Sequence, residues 1–525
     1  MSDESERGAA DGPAGSEATG PAGSDPDRTA VLAKQGSITF AGDVIKKTFG
    51  FLIVAVMTRL VSPGVYGLFV IAVSLVLFIQ TVAGLGLPKA VDYFVPQHLG
   101  DGDEASARGV IYTASVIVLV ASTLVAGVLV ATRSQIAALF SEPALAFALL
   151  LLAVTLPLLA VYNVLLASFN AIKRLKYRVY MRDFVRPTVR LLATTGLLVA
   201  GFGLIGIVAG YVIGLFVAVC VGVGLLIRNA PELVRGPVTA VAPRPLVSYA
   251  APLAVAGLIY VILGQIDYFI IGLLGTAEGV GIYRVGYMLA ANLLIVFTAV
   301  SPVYKPLIAE VRRDDDRVRR QYRTATRWVA GLTLPIALTL SLGASAYLSL
   351  IFTAQYTAGS LAVVILAAGY LVNVTCGGPD GALLQGLGYS RLVFVNTSLL
   401  LSINAVGSAL LVPRFGITGA AIGTATALVV AGVAAISEVY IVRGIHPLTA
   451  SLGKLFLSAV PAGLAGTAVV VLLPPIAVAV VLPVVVVVVY GVGVVLSGAL
   501  VDADIAFAAQ FGPRAEALVA AAADR

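Results

Sequence analysis

Charge, histidine, cysteine and tryptophan are all scarce in this chain: of 525 residues only 12% are charged, two are His, two are Cys and one is Trp. Cys220 and Cys376 lie far apart inside apolar stretches, which excludes a disulfide framework or a thiolate metal cluster and leaves both as small apolar residues. His98 and His446 each stand alone, without the neighbours that a metal site or an activating base requires. No glycine-rich loop ending in Lys-Ser or Lys-Thr occurs, so intrinsic ATP hydrolysis is not expected. Soluble domains carry roughly 25% charged residues. With 59% hydrophobic residues, this chain cannot cover its apolar surface in water.

What is present is a series of apolar segments near residues 36–61, 65–86, 108–131, 144–168, 184–203, 205–227, 246–273, 280–302, 327–349, 358–378, 392–412, 417–442, 452–473 and 476–499. Most exceed the ~20 residues an α-helix needs to cross the hydrocarbon core. The valine run 484–489 would suit a strand in water, but a lone strand in lipid leaves its backbone groups unbonded, so it too is read as helix. An all-α polytopic membrane protein with fourteen transmembrane helices follows. All the Lys and Arg residues except Arg59, Arg133, Arg284 and Arg414 fall in the termini or in alternate connections, a positive-inside pattern that puts both termini in the cytoplasm of a multi-pass cell-membrane protein. The formal charge of +7 is thereby assigned to topology and anionic headgroups, not to nucleic acid.

Residues 1–33 form an acidic tail rich in Gly, Ala, Ser and Pro, with too little apolar surface to fold, and nothing in it resembles a cleaved signal peptide. Two related six-helix bundles over 34–230 and 246–445 are expected, joined by a Pro-rich linker at 231–245 and followed by two further helices over 446–500 and a cytoplasmic tail at 501–525. The bundle reading rests on an internal echo: Gly67-Leu68-Phe69 and Gly281-Ile282-Tyr283 each enter a helix after a short outer turn. Repeats of this kind in transporters put the substrate path between the halves.

Arg59-Leu60-Val61-Ser62-Pro63-Gly64-Val65-Tyr66-Gly67, followed by Gly84-Leu85-Gly86-Leu87-Pro88, resembles the start of polysaccharide-export flippases of the multidrug, oligosaccharidyl-lipid and polysaccharide exporter superfamily. Ile266-Asp267-Tyr268 before Gly281-Ile282-Tyr283, the prolines 302 and 306, and Phe415-Gly416-Ile417-Thr418-Gly419-Ala420-Ala421 are similar to the same family, so the resemblance extends from about Ser37 to Leu500. It implies a flippase that moves a sugar on a polyprenyl or dolichyl phosphate or pyrophosphate from the inner to the outer leaflet by alternating access. No bond is made or broken. The implied partners are the lipid-linked sugar, membrane lipids, and glycosyltransferases or a polymerase of the same pathway.

Such work needs fixed cations for phosphate oxygens, and Arg suits them because its planar fork donates parallel hydrogen bonds. Arg59 and Arg284 are candidates because both defy the charge bias of the outer side; Lys46, Lys47, Lys89, Arg186, Arg190 and Lys305 are placed to receive phosphate at the inner mouth. The alternative for each is a helix-end residue whose long stem reaches the headgroups. Counting ~1.5 Å per residue from the outer helix ends puts Asp267 and Arg284 at comparable depth, roughly 9 and 6 Å, close enough to pair. Asp267, Asn404 and Thr424 lie at one level and form a candidate site for a coupling Na⁺ or H⁺; no other cofactor or metal is expected. A cation-coupled multidrug antiporter of the same superfamily is the nearest rival reading. A membrane glycosyltransferase or ligase is the other, for which the short outer loops offer only the isolated Glu142 and Glu278.

Overall fold

The computed structural model describes residues 45–501 together with 504 and 520; the expected tails, apart from those few positions, and the first residues of the expected first helix lie outside that range. The described residues are helical between short turns, with no strand among them. The first half runs through α1 (45–60), α2 (Pro63–Ala83), α3 (Leu87–Gly100), α4 (Glu104–Leu139), α5 (Pro143–Ala153), α6 (Thr155–Ala171), α7 (Leu175–Val179), α8 (Arg186–Val199) and α9 (Gly203–Asn229). The second runs through α10 (Pro243–Leu274), α11 (Ala277–Ala291), α12 (Leu294–Val311), α13 (Asp315–Leu342), α14 (Ala344–Tyr347), α15 (Ser360–Val372), α16 (Gly378–Gly386) and α17 (Ser390–Arg443), and α18 (Ala450–Leu472) and α19 (Pro475–Leu496) complete the fold.

Among the described residues nine helices are long and apolar enough to cross a membrane, or eleven if two bent pairs each count as one span. The count of fourteen is therefore not established, although the polytopic helical class is. The bend of 43° between α5 and α6 has a local cause: Pro157 supplies no N–H to bond the carbonyl four residues earlier, and its ring crowds that carbonyl. The 47° bend between α11 and α12 falls instead at Asn292 and Leu293, well before the proline at 302. The 54-residue α17 contains the expected turn: at Gly416 (φ 55°, ψ −134°) the chain reverses, and the two arms then pack along each other so closely that a Cβ on Gly407 would lie 3.2 Å from the Cα of Gly423.

Three apolar cores hold these elements. The largest runs through both halves, from Met57 and Ile71 to Tyr283 and Leu366. A second ties α18 and α19 to α13 through Leu334, Leu455, Leu482 and Val486. A third lies among α12, α13, α16 and α17 at the arginine-rich end.

The linker between the halves is strapped to the first. Arg108, buried near the start of α4, donates to the carbonyls of Pro237 (2.9 Å) and Glu232, Thr239 N–H bonds Ala105 O, and Thr113 bonds Val241 O. The strap therefore ends where α10 begins, at Ala242 and Pro243, rather than extending over the whole of 231–245. Beyond its first turns, which stack Tyr249 on Tyr93 of α3, α10 leaves large apolar side chains such as Leu253, Val255 and Tyr260 exposed.

At the opposite, charge-poor end, the two glycines of the internal echo meet. A Cβ on Gly67 of α2 would sit 1.7 Å from the carbonyl oxygen of Ala277, and one on Gly281 of α11 would sit 2.2 Å from that of Pro63. Both distances are impossible for real atoms, so only glycine permits this crossing. Gly67→Ala or Gly281→Ala should cost about 1–3 kcal/mol of overpacking and shift the protein toward states opened at this end. A hydrophilic thiol reagent applied from that side should then label a cysteine introduced at Val70 faster than in the glycine parent, and unchanged labelling would show that the crossing is not a closure.

Candidate functional site

Where α2 and α11 cross, the space on the arginine-rich side is a cavity of about 320 Å³ lined by α1, α2, α8, α9, α10 and α11. Three guanidinium groups enter it: Arg186 and Arg190 from α8 and Arg284 from α11. Their placement has a local cause. α7 and α8 are joined by a wider π-helical turn, Tyr180–Val185, which resets the helix face just before Arg186, and residues four apart then share one face. Gly210 and Gly214 of α9 let α8 approach, since a Cβ at Gly214 would lie 2.8 Å from that of Arg190.

Among the described residues no carboxylate pairs with any of the three. Aromatic faces and phenol oxygens take that place. Arg186 donates to Tyr211 Oη at 3.1 Å and lies 5.0 Å from the ring centre of Tyr162. Arg190 lies over Tyr211 and Phe69 at 4.9 and 5.5 Å, and its Nε is buried with no acceptor. Arg284 donates to Tyr268 Oη at 2.6 Å and sits 5.3 Å from that ring. Ring faces steady a cation without neutralising it. Three like charges around one small volume repel each other by several kcal/mol at a protein-like dielectric of ~20, so the cavity carries an uncompensated positive potential.

The expected pairing of Asp267 with Arg284 does not form. Adjacent residues on a helix point ~100° apart, and Asp267-Tyr268 faces Tyr283-Arg284 with the partners exchanged: Tyr283 Oη donates to Asp267 at 2.9 Å while Arg284 bonds Tyr268. The guanidinium thus turns into the cavity and the carboxylate turns away from it. Asp267 joins Asn404 and Thr424, the residues placed with it by depth, in a buried cluster that includes Ser408. Thr424 donates to Asp267 at 3.0 Å, and Ser408 lies 3.4 Å from Asp267 and 3.0 Å from Asn404 Oδ1.

The remaining candidates lie elsewhere. Arg59 is exposed at the charge-poor end, where it donates to the backbone carbonyls of Ile351 (2.9 Å) and Leu350. Lys46 and Lys47 are exposed on α1, Lys89 is exposed on α3 near Asp92 (3.7 Å), and Lys305 is half-buried on α12; none of these lines the cavity. Sequence reasoning gave no site role to the tyrosines 66, 162, 211, 268 and 283, although the repeated placement of Tyr beside Asp267 and Arg284 was a usable signal.

These features define a polytopic helical protein with a cationic chamber between its halves, and solved structures share the fold. The lipid II flippase MurJ in an inward closed conformation superposes with a TM-score of 0.69 at 14% identity, covering 88% of this chain and 98% of its own. An inward-facing multidrug resistance MATE family transporter of the MOP superfamily gives 0.62 at 14% identity, over 78% and 96%. A superfamily transporter from Pyrococcus furiosus gives 0.52 at 13% identity, over 79% and 95%. The family described as polysaccharide biosynthesis protein matches residues 56–360, and the chain belongs to it. The probable flippase AglR of Haloferax volcanii is 26% identical over 206 residues, which are 37% of this chain and 41% of that protein, so the match spans about two fifths of the relative's length.

Removing one charge-assisted hydrogen-bond donor costs ~1.5–3 kcal/mol. Arg190→Ala and Arg284→Ala should therefore weaken pyrophosphate binding, followed by calorimetry on the purified protein, about tenfold or more, whereas Arg59→Ala should leave it unchanged.

Proposed function

We propose that this protein is a flippase for a sugar carried on a polyprenyl or dolichyl phosphate or pyrophosphate, moving it from the inner to the outer leaflet for polysaccharide or glycoprotein glycan assembly. The observation that carries the reading is the carboxylate-free chamber of Arg186, Arg190 and Arg284 between the halves. An anionic headgroup neutralises the three charges while its sugar occupies the polar space beside Gln265 and Ser74 and its hydrocarbon stays in the bilayer. The same chamber disfavours the antiporter reading, since a cationic drug would enter against three positive charges.

The arginine-rich end faces the cytoplasm of the cell membrane by the positive-inside rule, with both termini there. Substrate enters from that side, and opening of the Gly67–Gly281 crossing releases it on the other. Asp267, Asn404, Ser408 and Thr424 supply oxygen ligands for a coupling Na⁺ or H⁺, one helix face away from Arg284, so cation occupancy is communicated through the Tyr268 and Tyr283 hydrogen bonds. Glycosyltransferases or a polymerase of the same pathway supply and consume the cargo, and the flippase itself makes no bond.

Purified protein in proteoliposomes should move a fluorescent polyprenyl-pyrophosphate sugar between leaflets, with Arg190→Ala and Arg284→Ala slowing the transfer at least tenfold. Wild-type rates in both variants would refute the reading. If Na⁺ is the coupling ion, it should raise the melting temperature of the wild type but not of Asp267→Asn. A shift common to both proteins would remove the cluster as the cation site.

A further inference from the structure

Among the described residues three aspartates are buried: Asp183, Asp267 and Asp380. Two are satisfied as carboxylates. Asp183 takes both donors of Arg182, at 2.6 and 2.9 Å, and Asp267 accepts from Tyr283 and Thr424. Asp380 is 0% exposed, and only the Tyr322 hydroxyl approaches its oxygens, without forming a hydrogen bond of regular geometry.

Asp380 lies on α16, in the arginine-rich half of the span Ala354–Gly386, just after a π-helical turn, Asn373–Gly377. Within electrostatic reach are Tyr304 of α12, Tyr322 of α13 and Cys376 of that turn. The Tyr304 hydroxyl is likewise buried without a partner, and that of Tyr322 faces Asp380. No ion pair reaches Asp380 from Lys305 on α12, from the arginines of α13, or from Arg391 and Arg443 on α17; Arg443 pairs with Asp315, and Glu438 of α17 accepts from Asn396. Leu383, Leu384, Ile308 and Val439 close the surroundings as an apolar core.

An ionised carboxylate in such a place costs tens of kcal/mol by Born solvation, and proteins avoid the cost by keeping the group neutral. We infer that Asp380 is a proton-binding site, a carboxylic acid held between Tyr304 and Tyr322 that gives up its proton only when α16 moves and water reaches it. On its other side Tyr304 lines an open groove of about 770 Å³ among α12, α13, α18 and α19. The π-helical turn before α16 is the place where that helix can shift, because its wider ring leaves the i→i−4 ladder broken. The site is separate from the arginine chamber, and its protonation does not depend on the identity of the cargo.

Infrared spectroscopy of the purified protein tests this directly. At neutral pH the wild type should show the C=O stretch of one protonated acid that Asp380→Asn removes, and the variant should fold normally, since an amide replaces a neutral acid of the same shape. Should that variant not reach the membrane, Tyr322→Phe retains the acid and should move the pH at which the band disappears. Loss of no band in Asp380→Asn, an unmoved band in Tyr322→Phe, titration near the ~4 of a solvated aspartate, or a carboxylate band that responds to added Na⁺ would each overturn the proposal.

Discussion

Three guanidinium groups share one small chamber without a carboxylate among them, and much of the fold serves to make that tolerable. Like charges at such distances separate unless something rigid holds them. The π-helical turn ahead of α8 sets the face the arginines take, and the rigidity comes from the α9 glycines that draw α8 close and from the tyrosine rings on which the cations lie. Carboxylates would have neutralised the same arginines at less cost and left nothing for an anion to do.

The exchange of partners between Asp267-Tyr268 and Tyr283-Arg284 separates two kinds of chemistry with one helix contact. Opposite charges on neighbouring helices would ordinarily collapse onto each other. Here the tyrosines take both, so an anion-receiving face and a carboxylate cluster lie back to back on α10 and α11. Any change at one face is therefore felt at the other through the same pair of hydrogen bonds.

The helical class and the sharp turn at Gly416 were legible in the sequence, because hydropathy and glycine each act locally. Depth counting also brought Asp267, Asn404 and Thr424 to one level, since rise per residue is constant along a helix. Rotation about the helix axis is what depth counting omits. It decided that Arg284 faces the chamber and Asp267 does not, and it separated Arg186 and Arg190 from the surface lysines with which they had been grouped. Arg59 was singled out for defying the charge bias, yet its partners are backbone carbonyls nearly three hundred residues away, a tertiary fact with no local trace. The short α3 went unread because its polar residues look like any inner connection.

With the linker bound to α4 by Arg108, any relative movement of the halves is delivered through α10, and the middle of that helix carries apolar side chains that no other part of the protein covers. In a bilayer those side chains pack against acyl chains. The lipid is then part of what holds α10, so acyl length and order should bear on its stability as directly as a substitution in the protein would.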